Sequence, residues 1–333
     1  MTRQGLMAKS VLGQSGRAVS RLALGCGNFG GVGSPRHLIG RGLDRKAALA
    51  SMDEAVSLGI NWFDTAHSYA GGASERFIGE WLAMQSEELR ADVHIATKVG
   101  VVATDTGMSI DLSPRNIRDQ LSGSLARLGV TRVDFCLSHG PDPSIPIEAT
   151  LEGFADAIER GQVSHIGACN VDVEQLAAAT EASSRLGLPR YEWVQNEYNL
   201  LNRRAEGALF EFCANAGIGY TAYSPVAGGL LSGKYHLGEP PAPDSRLALR
   251  PEGIEPSQGF FDRVAQLKRE AARRNRSTGS LALAWVMSHP QVAAAICGPG
   301  RHAPHLGLAR EALSIVLDVL ERNEIGSWFE SNS

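Results

Sequence analysis

Six short apolar runs along this chain each end on a side chain able to do acid–base or hydrogen-bonding chemistry. "WFD" ends at Asp64, "IATK" at Lys98, and "DFCLSH" runs into His139. "HIGACN" ends at Asn170, "WVQN" at Gln195 and Asn196, and "YTAYS" at Tyr223 and Ser224. Tyr69 follows Asp64 by five residues in "WFDTAHSYAGGASE". A phenol is too weak an acid to give up a proton readily near neutrality. A neighbouring ammonium stabilises the phenolate and lowers its pKa, and a buried aspartate keeps that lysine charged. A histidine beside them orients a substrate oxygen. Such a set suits protonation of a carbonyl oxygen while a hydride arrives at its carbon. One polar residue at a strand end is most simply a group meeting solvent, but six in register point to a shared pocket.

The elements that must position these groups form a recurring phrase: an amphipathic helix, a glycine, then a short apolar strand. In "AALASMDEAVSLGINWFDT" the helix presents Leu49, Met52 and Val56, with Gly59 at its end. In "SPRNIRDQLSGSLARLGVTRVDFCLSH" Ser113 is the N-cap, Pro114 the first helical residue, Ile117, Leu121, Leu125 and Leu128 the buried stripe, and Gly129 the left-handed stop. Asp172 and Gln175 make a capping box after Asn170, and Ser74 is read as a cap just beyond Tyr69. Strands fall near 22–25, 60–63, 93–97, 132–137, 163–168, 191–195, 218–223 and 292–297. Eight short apolar strands separated by helices favour a parallel sheet buried on both faces, and at this length a (β/α)8 TIM barrel. A barrel places its chemistry at the C-terminal ends of the strands, where these polar residues lie. "SVLGQSGRAVS" reads as an N-terminal β-hairpin, and 226–257 as a long functional loop at the C-terminal rim. One domain over 1–333 is expected, its barrel spanning about 20–323.

The doubly wound alternative rests on Gly25-x-Gly27-x-x-Gly30, with Asp44 near the acidic position of a dinucleotide fingerprint. That fingerprint requires a helix to start at the glycines. The next stretch carries Gly31, Gly33, Pro35, Gly40 and Gly42, which excludes one. Hydrophobic residues make up 43% and charged residues 20% of 333, with a net charge of −4, so neither disorder nor an affinity for nucleic acid or anionic membrane is expected. Five scattered cysteines (26, 136, 169, 213 and 297) read as reduced core residues of a cytoplasmic protein. A metal-dependent hydrolase would need clustered ligands, and "SHGPD" offers only His139 and Asp142.

The stretches "GINWFDTAHSYAGGASE", "IATKVG", "SLARLGVTRVDFCLSHGPD", "HIGACNV", "QNEYNLLNR" and "YSPVAGGLLSGKY", in this order, resemble the aldo-keto reductase family over nearly the whole chain. The resemblance implies a catalytic tetrad at Asp64, Tyr69, Lys98 and His139, with Tyr69 the general acid, Lys98 and Asp64 its tuning pair and His139 the carbonyl-orienting group. It also implies NADP(H), with NAD(H) as the alternative, bound without a Rossmann fold and exchanging hydride with a small carbonyl or alcohol substrate. By that analogy Asn170 and Gln195 hold the carboxamide, and Tyr223 stacks on the nicotinamide. Ser224, Pro225, Val226, Gly228 and Leu230 wrap the pyrophosphate. Gly25, Cys26 and Gly27 lie beside the ribose, and Arg301 meets the 2′-phosphate, since a guanidinium matches phosphate geometry. No metal is implied. The family also includes potassium-channel β subunits, so a cofactor-binding regulatory protein with little turnover is the other reading. The chain departs from the pattern in places. Cys169 stands where a serine is usual, which puts one carboxamide hydrogen bond in doubt, and Leu308-Ala309 replaces a Glu-Asn pair. Residues 31–43 are an insertion, and His67 is read as a solvated loop histidine, with a place facing the pocket mouth as the alternative. Trp328 and Phe329 are read as a flap over the pocket or a subunit contact.

Overall fold

Twelve β-strands appear in the computed structural model, which describes residues 7–105, 107–250, 257–300 and 306–330. They are β1 (Lys9–Val11), β2 (Ala18–Ser20), β3 (Leu22–Gly25), β4 (Trp62–Asp64), β5 (His94–Val99), β6 (Val101–Thr104), β7 (Gly107–Ile110), β8 (Val133–Ser138), β9 (Val163–Cys169), β10 (Tyr191–Glu197), β11 (Gly219–Tyr223) and β12 (Val292–Cys297). Strands β3, β4, β5, β8, β9, β10, β11 and β12 pair in parallel in that order, and β12 returns to β3 to close the barrel. These are the eight strands expected from the sequence.

Two cores follow from the pleat, because successive side chains on a strand point to opposite faces. Inward residues fill the barrel: Ala23, Trp62, Ala96, Phe135, Leu137, Cys169, Trp193, Ala294 and Ile296. The Trp193 and Phe135 rings meet edge-on at 4.9 Å. Outward residues such as Phe63, Ile95, Cys136, Ile166 and Val194 join the helices in the second, larger core. The hairpin of β1 and β2 closes the N-terminal end, its Leu12 and Val19 packing into the interior cluster. All five cysteines are free and buried.

Several local expectations hold. Ser113 accepts from Asn116 N, Pro114 opens the helix Pro114–Leu128, and Gly129 ends it at φ 67°. Asp172 and Gln175 form the capping box of Val173–Leu186. In the helix Arg45–Ser57 Met52 is buried, and Leu49 and Val56 pack half-buried against the same core. One cap differs. Gly72, not Ser74, is the N-cap of Ala73–Ala83. Ser74 is fully buried, and its hydroxyl bonds Cys26 O at 2.9 Å and Thr65 Oγ1 at 2.8 Å, because the loop here packs against β3. The antiparallel pair of β6 and β7 was not expected. Phe329 is buried and Trp328 half-buried against the larger core.

Candidate active site

The inward phase that fills the barrel continues to its C-terminal rim. Two residues beyond Trp62 stands Asp64, and two beyond Ala96 stands Lys98. The same step leads from Leu137 to His139, from Trp193 to Gln195 and from Thr221 to Tyr223. The period of two therefore aims these polar groups at one point above the core. Asn170 is out of phase but adopts φ 58°, which turns the chain back over the opening. Among the described residues five non-glycines have positive φ, and Ala70, Asn170, Ser224 and Ala227 are all at this rim. Backbone strain of this kind gathers at functional sites.

Lys98 is the hub. Its Nζ donates to both Asp64 carboxylate oxygens, at 2.8 and 2.7 Å, to Thr65 O at 2.9 Å and to the Tyr69 hydroxyl at 3.3 Å. Both members of the ion pair are almost fully buried. Burial alone pushes the ammonium down, but the Asp64 carboxylate outweighs it and holds Lys98 above its ordinary value, so it stays charged. Burial pushes the Tyr69 phenol up, the Lys98 charge pulls it down and Asp64 opposes that pull; the net direction is upward. The lowering expected from the sequence is thus outweighed by desolvation. The upward shift favours a neutral Tyr69 phenol, with the Lys98 ammonium at its hydroxyl.

The His139 ring lies 5.5 Å from that of Tyr69, nearly perpendicular to it. Burial and the Lys98 charge hold His139 well below the usual histidine range, so its imidazole is neutral and able to share a hydrogen bond with a substrate oxygen. His67 is half-buried rather than freely solvated. Burial and Arg127 hold it down against the upward pull of Glu75, and its Nε2 is enclosed. Glu75 is itself buried, accepting from Thr97 Oγ1 at 2.6 Å and Arg127 Nε at 2.7 Å.

The other rim residues interlock. Gln195 Nε2 donates to Asp64 Oδ1 at 2.9 Å, the Tyr223 hydroxyl to Asn170 Oδ1 at 2.8 Å, and Asn170 Nδ2 to His139 O at 3.0 Å. Asn196 instead ties β10 to Val171, through N–H and carbonyl both. Gly25 has a packing reason: a Cβ there would meet Ile296 Cγ2 at 2.9 Å. At Gly27 a Cβ would touch the Tyr69 ring at 3.7 Å, so Gly27 borders that ring. Cys26 is fully buried, its amide donating to Asp64 O at 2.8 Å.

Beside Tyr223 and Ser224 opens a cleft of about 600 Å3, which also takes in Gly228 and Leu230. Arg203, Arg204, Arg246 and Arg250 line it together. These arginines, not singled out from the sequence, come from the loop after β10 and from the short helix Arg246–Leu249 with its C-cap; their one signal was the arginines in "NRR" and "SRLALR". Arg301 lies outside the described residues. Among the described residues no group of three His, Cys, Asp or Glu is placed to hold a metal ion, and no helix is long and apolar enough to cross a membrane.

Known proteins resemble this chain over most of its length. The profile described as "Aldo/keto reductase family" matches residues 21–325. The chain belongs to the aldo/keto reductase family. It is 33% identical over 320 residues to an uncharacterized oxidoreductase of Bacillus subtilis, covering 94% of this chain and 93% of that one. It is also 34% identical over 296 residues to a probable voltage-gated potassium channel subunit beta of Oryza sativa, covering 86% and 85%. The glycerol dehydrogenase structure from Gluconobacter oxydans superposes with a TM-score of 0.79 at 23% identity, over 98% of this chain and 95% of that one, a likeness of fold. As a family member the chain is an oxidoreductase on a (β/α)8 barrel.

Proposed function

We propose that this aldo/keto reductase is NADP(H)-dependent and interconverts an aldehyde or ketone with its alcohol, using Tyr69 as general acid and base. The observation that carries the reading is the buried chain Asp64–Lys98–Tyr69 with the neutral His139 ring beside it. The residues present are compatible with a nicotinamide dinucleotide. Four arginines in one cleft answer a pyrophosphate, and the primary amides of Asn170 and Gln195 each retain an N–H and a lone pair for a carboxamide. Tyr223 offers a ring face, and Ser224, Pro225, Val226, Gly228 and Leu230 supply the backbone of the cleft. Gly25, Cys26 and Gly27 pass beside Tyr69, and Arg301 remains the candidate for a 2′-phosphate. When bound, the nicotinamide supplies or accepts the hydride.

For reduction, His139 orients the carbonyl oxygen towards the Tyr69 hydroxyl. Tyr69 gives its proton to that oxygen as negative charge develops on it. Lys98 stabilises the resulting phenolate, and Asp64 keeps Lys98 cationic throughout. In the reverse direction the phenolate takes the alcohol proton. The substrate is a small carbonyl or alcohol compound of the cytoplasm.

A second reading, a regulatory cofactor-binding subunit, is favoured by the likeness to the Oryza sativa channel subunit. One experiment separates the two. The purified protein is expected to consume NADPH, and more slowly NADH, with an activated aromatic aldehyde. Tyr69→Phe should lose at least about a hundredfold in kcat, the usual share of a general acid, while still binding NADPH by fluorescence quenching. NADPH binding without turnover in the wild type would favour the regulatory reading, and full turnover in Tyr69→Phe would refute the assignment of the proton donor.

A further inference from the structure

Both ends of the Gln195 amide are engaged, although the side chain is only 2% exposed. Nε2 donates to Asp64 Oδ1 at 2.9 Å, and the Cys169 thiol faces Oε1 at 3.6 Å. With Lys98 on both Asp64 oxygens and on the Tyr69 hydroxyl, one unbroken chain runs from β9 through β10, β4 and β5 to Tyr69. From this geometry we infer that Gln195 is a positioning residue for the proton donor. It acts through Asp64, and the Cys169 thiol helps to fix which way its amide faces. The inference rests on reading Tyr69 as the general acid and adds to Gln195 a role separate from holding a carboxamide.

The physical reason lies in the double action of Asp64. Its negative charge opposes ionisation of Tyr69 directly, yet it favours that ionisation indirectly by keeping Lys98 charged. A neutral N–H donated by Gln195 spreads part of the carboxylate charge, which weakens the first effect and leaves the ion pair intact. Asp64 Oδ1 is shared between Lys98 and Gln195. Without Gln195 that oxygen binds Lys98 alone, and the ammonium is drawn away from Tyr69. The 3.3 Å contact to Tyr69 is already the longest of the four that Lys98 makes. Both consequences move the ionisation of Tyr69 to higher pH. The amide has one workable orientation, since the reverse would set Oε1 against the carboxylate. The thiol is a weak donor that favours the same choice.

The test reads Tyr69 itself in the cofactor-free protein. Tyrosines labelled with 13C at Cζ are followed by NMR against pH, and Tyr69 is assigned by the signal missing from Tyr69→Phe. In Gln195→Met, which keeps the length of the side chain without its amide, the Tyr69 signal should begin to move at higher pH than in wild type. Cys169→Ala should shift it the same way by less, and Cys169→Ser, which keeps a donor, should match wild type. Coincident Tyr69 curves for wild type and Gln195→Met overturn the proposal, as does a Gln195→Met protein whose one change is weaker NADPH binding. If Gln195→Met does not give a folded spectrum, Gln195→Glu serves instead. An added carboxylate facing Asp64 should displace the curve upward, and no displacement overturns the idea. Full turnover in Tyr69→Phe would instead fail the general-acid reading, and the coupling to Tyr69 would still be measurable.

Discussion

Lys98 is 1% exposed, as buried as the aromatic residues beneath it, and the Asp64 carboxylate and the Thr65 carbonyl both hold its ammonium besides its contact with the Tyr69 hydroxyl. A buried ion pair adds little net stability compared with an apolar pair, but removing one partner strands the other. Lys98→Met should therefore destabilise the fold by about 3–5 kcal/mol through the uncompensated Asp64 carboxylate, read as a lower midpoint in urea. A double variant, Lys98→Met with Asp64→Leu, should recover part of that loss while remaining inactive. Equal stability of Lys98→Met and wild type would contradict the burial seen here. At this scale Asp64, Lys98 and His139 stand out because each closes an apolar run, and Tyr69 because it lies in the loop that follows Asp64. The direction of the Tyr69 shift was not legible, since desolvation depends on neighbours far away in sequence.

Among the elements, the hairpin of β1 and β2 shows how position is fixed without any contact to the chemistry. Leu12 and Val19 enter the base of the barrel, Ser10 Oγ donates to Ala293 O at 2.8 Å, and Asn61 Oδ1 accepts from Ser20 N at 2.8 Å. Gly13 makes the turn at φ 55° with its α-carbon pressed against Glu192 O, leaving no room for a methyl group. Gly13→Ala should lower stability by about 1–3 kcal/mol, the usual cost of a strained backbone position. It should leave kcat at room temperature unchanged, because the reacting groups stand at the opposite end of the barrel. Thermal melts and steady-state rates on one preparation check both halves. The hairpin was legible from its turn residues. The pair β6 and β7 was not, because its half-exposed Val101 and Val102 and exposed Met108 give no clear alternation.

Across the whole molecule, acid stability has an identifiable contributor far from the site. His289 packs on the ring of Phe210 at 4.4 Å, and burial, helped by the charge of Arg322, holds it down to about 4. An unfolded chain would take up that proton near pH 6.5. Between there and about 4 the unfolded state binds more protons, so stability falls as pH falls and levels off below. His289→Asn, which keeps an acceptor for the Gln291 amide, should start from a lower melting temperature. It should lose less on going from neutral to acid pH. Parallel curves for the two proteins would exclude His289 as a contributor.

The eight strands, the helix stops and the polar residues that end the strands, Asp64, Lys98, His139, Gln195 and Tyr223, are readable in the chain. Those features follow from local sterics and short apolar runs. Which groups touch depends on how distant parts of the chain meet. Folding sets Gln195 and Lys98 on the same Asp64 oxygen, returns Tyr69 from its loop to Lys98, buries Ser74, half-buries His67, and gathers arginines from two segments into one cleft. These are contacts between residues tens of positions apart, fixed when β12 meets β3 and the ring closes. Closure removes the water that would otherwise screen each charge, and that burial is what pushes Tyr69 up and His139 down.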